Sequence, residues 1–193
     1  IKTPKGKQWL TVPVHSRGAQ IENIPINQIR IAWDNPWNQN HLKALQHAYG
    51  RAPHFERTLP LLENFYRRRD EFLADFTIDF TVSVTRELGN THTRFKRSSE
   101  ITGIEGKKTD RLIQILQSVG ATHYLSGPAA RDYIDLEKFA AAGIILEYME
   151  YNYPEYPQLY PPCDSNVSIL DLLFMTGPEA SRYIFKGSHV KNP

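Results

Sequence analysis

The chain has a single cysteine and two methionines among its 193 residues. It also has no apolar run that approaches the roughly 20 residues a membrane-spanning helix requires, so no such span is expected. A lone thiol, Cys163, cannot close an internal disulfide, which suits a reducing compartment and a cytoplasmic location. It stands in Pro161-Pro162-Cys163-Asp164 with no base beside it, so a nucleophilic role is not expected. Net charge is nearly absent: 23 basic against 21 acidic side chains leave +2. That balance by itself does not point to nucleic acid. The basic runs Arg67–Arg69 and Arg94–Arg97 are flanked by acids or hydroxyls and read as solvated faces. Paired cysteines, a His-x-x-x-His spacing and a carboxylate cluster with histidine are all missing, so neither metal nor cofactor is expected.

What is present is an ordinary globular composition, 40% apolar and 23% charged. The length fits one domain, since domains run roughly 100–200 residues. A chain of this size buries about 70% of its extended surface without a disulfide or metal.

Gln8–Val14, rich in β-branched and aromatic residues, reads as a strand, and Ile21–Ile31 reads as extended. Pro36 marks a helix start, and Leu42, Leu45 and Tyr49 keep helical spacing up to Gly50. A second helix carries Leu59, Leu62, Phe65 and Tyr66 on one face. Residues 72–88 satisfy two periods: strict alternation from Phe76 to Thr85 fits a strand, while Phe72, Phe76 and Phe80 fit a helical face. The ending Arg86–Asn90, with Gly89, tips the reading to helix.

In the second half Thr91–Ser98 reads as a strand. Leu112, Ile115, Leu116 and Val119 form an amphipathic helix stopped by Gly120, with Thr109 as its cap. Ala121–Leu125 and Ile144–Met149 read as strands around a helix capped by Asp135. Asn166 or Ser165 is expected to cap a helix bearing Ile169, Leu170, Leu173 and Phe174, with a short last helix over Glu179–Phe185. The fold class is therefore α/β: one domain, 1–193, with a mainly parallel sheet built from βαβ units in the C-terminal half and a helical segment over about 38–88.

Several blocks then resemble one family. Gly120–Gly127, Arg131–Asp135, Phe139 and Ala142–Ile144 are similar to the central signature of the WbqC-like family. Tyr156-Pro157-Gln158 and Ser168–Leu173 resemble its C-terminal signature. Lys2-Thr3-Pro4, Gln8–Pro13, His41-Leu42 and Ala52–Phe55 resemble its early part. The resemblance spans nearly the whole chain. It implies a preceding strand-turn-helix segment and a role in bacterial O-antigen or lipopolysaccharide assembly, beside enzymes that handle nucleotide-linked amino sugars. It implies no reaction.

Candidate chemistry sits in four places. Ligands of an open parallel sheet bind beyond the strand carboxyl ends, so Ser126 and Gly127 are expected to meet an anion, with Ser98 and Ser99 at the neighbouring strand end. Lys107 and Arg111 lie at the start of the following helix, where free N–H groups favour phosphate; the upstream glycine of a P-loop is missing. His41 and His54 lie near Trp33, Trp37 and Tyr49 and are the candidate bases; His123, inside a strand, reads as a core histidine. Tyr156 and Gln158, in a Tyr- and Pro-rich loop, suit stacking and hydrogen bonding to a sugar or base.

The expectation is a transferase that acylates or aminoacylates a nucleotide-linked amino sugar, a small-molecule substrate. The alternative is a non-catalytic binding or scaffold protein of a polysaccharide assembly complex. A third reading is RNA contact through the two arginine runs.

Overall fold

The computed structural model describes residues 1–15, 24–186 and 188–191. It forms two compact units: Ile1–His92 with Pro154–Tyr183, and Thr93–Tyr153 with Ile184–Pro193.

The first unit is mostly helical. It opens on an antiparallel hairpin, β1 (Lys2–Thr3) with β2 (Gly6–Lys7). The strand expected over Gln8–Val14 shrinks to one bridge, Val14 to Ile31. Pro13 has no N–H to extend a ladder; its carbonyl instead accepts from the Ala32 N–H at 2.9 Å. Of the extended stretch expected over Ile21–Ile31, residues 21–23 lie outside the described residues. Ile26–Gln28 form a 3-10 turn, and only Arg30 and Ile31 bridge other segments.

Three helices follow: α1 (Trp37–Tyr49), α2 (Phe55–Arg67) and α3 (Leu73–Glu87). Their buried positions recur with helical period: 37, 41, 45, 48 and 49 on α1, and 55, 58, 62, 65 and 66 on α2. In α3 the helix wins over the alternating pattern because it packs apolar rings along one face. The rings of Phe76 and Phe80 stack at 6.4 Å, one turn apart. Round the helix from them, Thr77, Thr81 and Thr85 each donate a hydroxyl to the carbonyl four residues back, at 2.7–2.8 Å, which satisfies these polar groups without a partner outside the helix. The sixth element, α6 (Ile169–Thr176), is buried at Leu170–Phe174 and again at Thr176, as a helix inside a core should be. Its cap is Ser168, whose Oγ accepts from the Leu170 N–H at 3.3 Å. The helix thus begins later than a cap at Ser165 or Asn166 requires. Phe174 stacks on Tyr49 at 4.7 Å and meets Phe55 at 5.3 Å.

The second unit holds the sheet. The strand expected over Thr91–Ser98 is not formed; residues 91–97 carry no regular structure and Ser98–Glu100 make a 3-10 turn. Phe95 is the only large apolar side chain there and is itself exposed, so that stretch has no face to bury. Helix α4 (Lys108–Ser118) leads to β3 (His123–Ser126), then to α5 (Leu136–Ala141) and β4 (Ile145–Tyr151). β3 and β4 are parallel, with Tyr124 opposite Leu146, which is the expected βαβ unit. β5 (Ser188–Lys191) joins β4 antiparallel, so the sheet is mixed. Leu116, Ile134, Phe139, Leu146 and Tyr148 form the core beneath it. Asp135 caps α5 as expected, accepting from the Lys138 N–H at 3.2 Å. The expected cap of α4 is displaced: Lys107 holds that position, and Thr109 lies inside the helix, its hydroxyl accepting from the Asp135 N–H. The last helix, α7 (Ala180–Lys186), lies close to its expected range, and the boundary between units falls within it.

Gly177 ends α6 with φ +51°, and a Cβ there would sit 2.5 Å from the His54 ring. Gly120 ends α4 with φ +67° and open space around it. Replacing Gly120 by Ala should cost only the left-handed strain, about 1 kcal/mol, whereas Gly177→Ala adds a clash and should cost about 2–3 kcal/mol. Urea denaturation checks this, and His54→Ala should restore part of the Gly177→Ala loss.

Candidate functional site

The first unit contains a partly enclosed cavity of about 490 Å³. Its base is formed by buried His41, Tyr66, Phe76 and Leu170, and its sides by Leu10, Val12, Phe80 and Val167. Exposed Lys7, Gln8, Trp9, Thr77 and Asn166 make the lip. Trp9 is 91% exposed, although tryptophan ordinarily buries most of its surface.

Helix periodicity builds the base. His41 lies one turn after Trp37 on α1, and their rings meet edge-on at 5.2 Å. Tyr66, in the last turn of α2, places its hydroxyl 3.3 Å from His41 Nδ1. That bond is satisfied in either direction, depending on which ring nitrogen carries the proton. Burial lowers the His41 pKa, and a backbone group of Thr11 pulls weakly the other way. Burial also pushes the Tyr66 hydroxyl up to about 12. At neutral pH the pair is therefore a neutral imidazole beside a protonated phenol. Trp37 Nε1 is buried and has no hydrogen-bond partner among the described residues.

His54 has a different setting. It is absent from the cavity lining; its ring packs on Gly177 and its N–H donates to the Phe174 carbonyl at 2.9 Å. The two candidate bases are thus not brought together at the cavity.

Tyr156 and Gln158 meet each other, and they meet a residue that sequence reasoning passed over. Asp171, 1% exposed, accepts from Tyr49 at 2.8 Å and Tyr156 at 2.9 Å. Gln158 Nε2 donates to Asp171 at 3.1 Å and to the Asp164 carbonyl at 2.9 Å. Gln158 Oε1 accepts from the Asp164 N–H at 2.8 Å and from the buried Lys2 ammonium, which also donates to the Pro162 carbonyl. The Lys2 N–H donates to Tyr49 Oη at 2.8 Å. A buried cation and a buried anion are thus joined through one amide side chain. Burial, with the Asp171 charge adding to it, raises the pKa of both Tyr49 and Tyr156, so both remain hydrogen-bond donors to the carboxylate. One signal pointed to Asp171: it is the single charged residue in the apolar run Ile169–Met175.

In the second unit Ser126 is buried at the end of β3, and Gly127 precedes a five-residue 3-10 helix. Lys107 is exposed at the cap of α4 with no side-chain cap there. Arg111 is exposed and its Nη1 lies 3.5 Å from the Ile104 carbonyl. Ser98 and Ser99 lie exposed in the 3-10 turn, not at a strand end. The Arg111 N–H donates to the Lys107 carbonyl at 3.5 Å in the first turn of α4; among the described residues no side-chain hydrogen bond joins any of these six to another. No group of three or more His, Cys, Asp or Glu side chains is arranged to hold a metal ion among the described residues. Likewise, no helix among them is long and apolar enough to cross a membrane. Arg67 pairs with Glu63 at 3.0 Å, Arg68 with Asp70 and Asp79 at 2.9 Å, and Arg69 lies over the Trp33 ring.

Comparison with known proteins gives one consistent answer. The model of the WbqC-like protein family matches residues 1–183. An uncharacterized protein of Mycobacterium tuberculosis, Rv1507c, is 33% identical over 185 residues, covering 95% of this chain and 78% of its own length. No solved structure matches.

Two outcomes follow from this geometry. Asp171→Ala strands two hydroxyls, an amide and the nearby Lys2 charge, and should cost about 3 kcal/mol in urea denaturation. For His41 the native pKa lies below the unfolded value of about 6.5. Its contribution is therefore whole above that pH and is lost as pH falls, because the unfolded chain takes up the proton first. His41→Gln should flatten that part of the stability loss between pH 7.5 and 5.5.

Proposed function

Because the chain belongs to the WbqC-like protein family, we propose that it is a transferase of bacterial surface-polysaccharide assembly that acylates or aminoacylates the amine of a nucleotide-linked amino sugar. The observation that carries this reading is the His41–Tyr66 pair at the base of the cavity. A neutral, desolvated imidazole is the protonation state a general base needs near pH 7. In the proposed step the amine attacks the carbonyl carbon of an activated acyl donor, and a C–N bond forms. His41 takes the proton the amine gives up. The carbonyl then re-forms, the bond to the leaving group breaks, and His41 returns the proton to that group. Tyr66 orients the ring from Nδ1. Within the second unit by itself, Lys107, Arg111, Ser126 and Gly127, with Ser98 and Ser99, are assigned to anion binding.

A second reading, a non-catalytic binding module, draws on a different observation. Tyr156 and Gln158, the side chains best suited to hold a sugar, are occupied within the protein by Asp171, Asp164 and Lys2.

The discriminating experiment is a thermal-shift screen against nucleotide-linked amino sugars and acyl donors, followed by a transfer assay on any hit. Ligand bound to the native state raises Tm by mass action. The transferase reading expects a shift with both classes. It also expects His41→Gln to lower kcat about 10²- to 10⁴-fold with little change in KM, and Lys107→Ala to weaken nucleotide-sugar binding. A flat screen with an intact fold favours the binding module.

A further inference from the structure

We infer that the cavity of the first unit holds an uncharged, apolar acyl group of the donor, aliphatic or aromatic, and not the sugar or an aminoacyl group. This deepens the transferase reading and rests on it for the word donor; the binding specificity stands by itself.

Three features of the lining carry the inference. First, the walls are hydrocarbon: Phe76, Phe80, Leu170, Val167, Leu10 and Val12. The buried polar side chains of the lining are His41 and Tyr66, and they already hydrogen-bond each other. Gln8, Thr77 and Asn166 lie exposed at the lip and Ser168 already caps α6, so a sugar ring at the base would bury hydroxyl groups largely against carbon. An acyl chain would bury only methylenes against those walls.

Second, the lining contains no carboxylate, and its one cationic side chain of permanent charge is Lys7 at the lip. The α-ammonium of an aminoacyl group would enter the cavity without a counter-ion, which a desolvated site penalises heavily. This separates plain acylation from aminoacylation. Lys7 instead favours an anionic carrier outside the cavity. Its present partner, Asp164 at 3.3 Å, is an exposed contact, and such pairs exchange at small cost.

Third, Trp9 at the lip is almost wholly exposed, on a stretch with no regular structure. An indole left in water beside an apolar opening is suited to close over a chain that enters it. The volume, about 490 Å³, lies in the range of sites that enclose a whole small ligand.

The test uses the whole chain and unreactive probes: butanoate, hexanoate and octanoate, with leucinamide and phenylalaninamide as aminoacyl mimics and a nucleotide-linked amino sugar as the third class. Binding is read by calorimetry and by Trp fluorescence. Each added methylene buried should tighten binding about three- to fourfold until the cavity is full, and the two amino amides should bind at least tenfold more weakly than octanoate. Thr77→Trp and Asn166→Trp, both exposed lip positions, should each block the opening and weaken octanoate at least tenfold; using two variants guards against one that misfolds. Affinity independent of chain length, amino amides binding as well as octanoate, or lip variants that fold and bind normally would each overturn the inference. Chain-length-dependent binding with no acyl transfer onto an amino sugar would leave this site standing and overturn the transferase. Transfer that the folded lip variants leave untouched would do the reverse.

Discussion

Asp171 places a carboxyl group inside the first unit, and its oxygens constrain the elements that meet them. A buried carboxylate is tolerable only when its oxygens are filled with donors. Here the donors come from three places in the chain: Tyr49 at the end of α1, Tyr156 in the loop before α6, and Gln158 two residues later. Gln158 then passes the constraint on, because its oxygen is one of the acceptors of the buried Lys2 ammonium. The β1 strand, the end of α1, the loop and α6 are thereby registered against one another by a single connected set of hydrogen bonds. If any of them shifts by an ångström, a charge is left unsatisfied. Packing alone, through Tyr49, Phe55 and Phe174, would tolerate more slack.

That registration bears on chemistry through α1. The helix fixed at its C-terminal end by Tyr49 carries His41 two turns earlier, on the same buried side. Tyr66 on α2 and Phe76 on α3 enclose the imidazole with Trp37. One physical cause, removal from water, then acts in two directions on the pair: it disfavours the imidazolium and it disfavours the phenolate. The result is two neutral groups that share a hydrogen bond at neutral pH. No nearby charge is required, which agrees with a lining that holds no carboxylate.

Much of the architecture was legible because apolar residues recurred with one clear period. The helices α1 and α2, the amphipathic α4, and β3–α5–β4 all follow from spacing and from glycine or aspartate at the ends. Where two periods coexisted, in residues 72–88, the outcome turned on packing that spacing alone does not decide: two phenylalanines stacked along the helix. The strand read over Thr91–Ser98 failed for the opposite reason, since β propensity without an apolar face has nothing to bury. His41 was singled out by its aromatic neighbours, and its contact with Trp37 is formed; Asp171 and Lys2 were not singled out, because the network that uses them joins residues as much as 169 positions apart. Tyr156 and Gln158 were expected to hold a sugar or base, and they hydrogen-bond Asp171, Asp164 and Lys2; sequence does not show whether such groups face a ligand or a neighbour.

This last ambiguity explains why the family is so much easier to see than the chemistry. Three of the segments on which the resemblance rests, Lys2–Pro4, Tyr156–Gln158 and Ser168–Leu173, meet in the Asp171 network. That network demands particular atoms at particular distances, so it leaves short, dense motifs in the chain. The cavity makes a looser demand. Phe76, Phe80, Val167 and Leu170 need only be apolar and of suitable size, and hydrocarbon walls tolerate exchange among such residues as long as volume is kept. Short motifs thus mark the hydrogen-bond network, whereas the cavity combines motif residues such as His41 and Leu170 with helix-face residues such as Phe76 and Phe80 that belong to no motif. A reading of substrate has to start from those faces, from what they cover with hydrocarbon and from which charges they leave out.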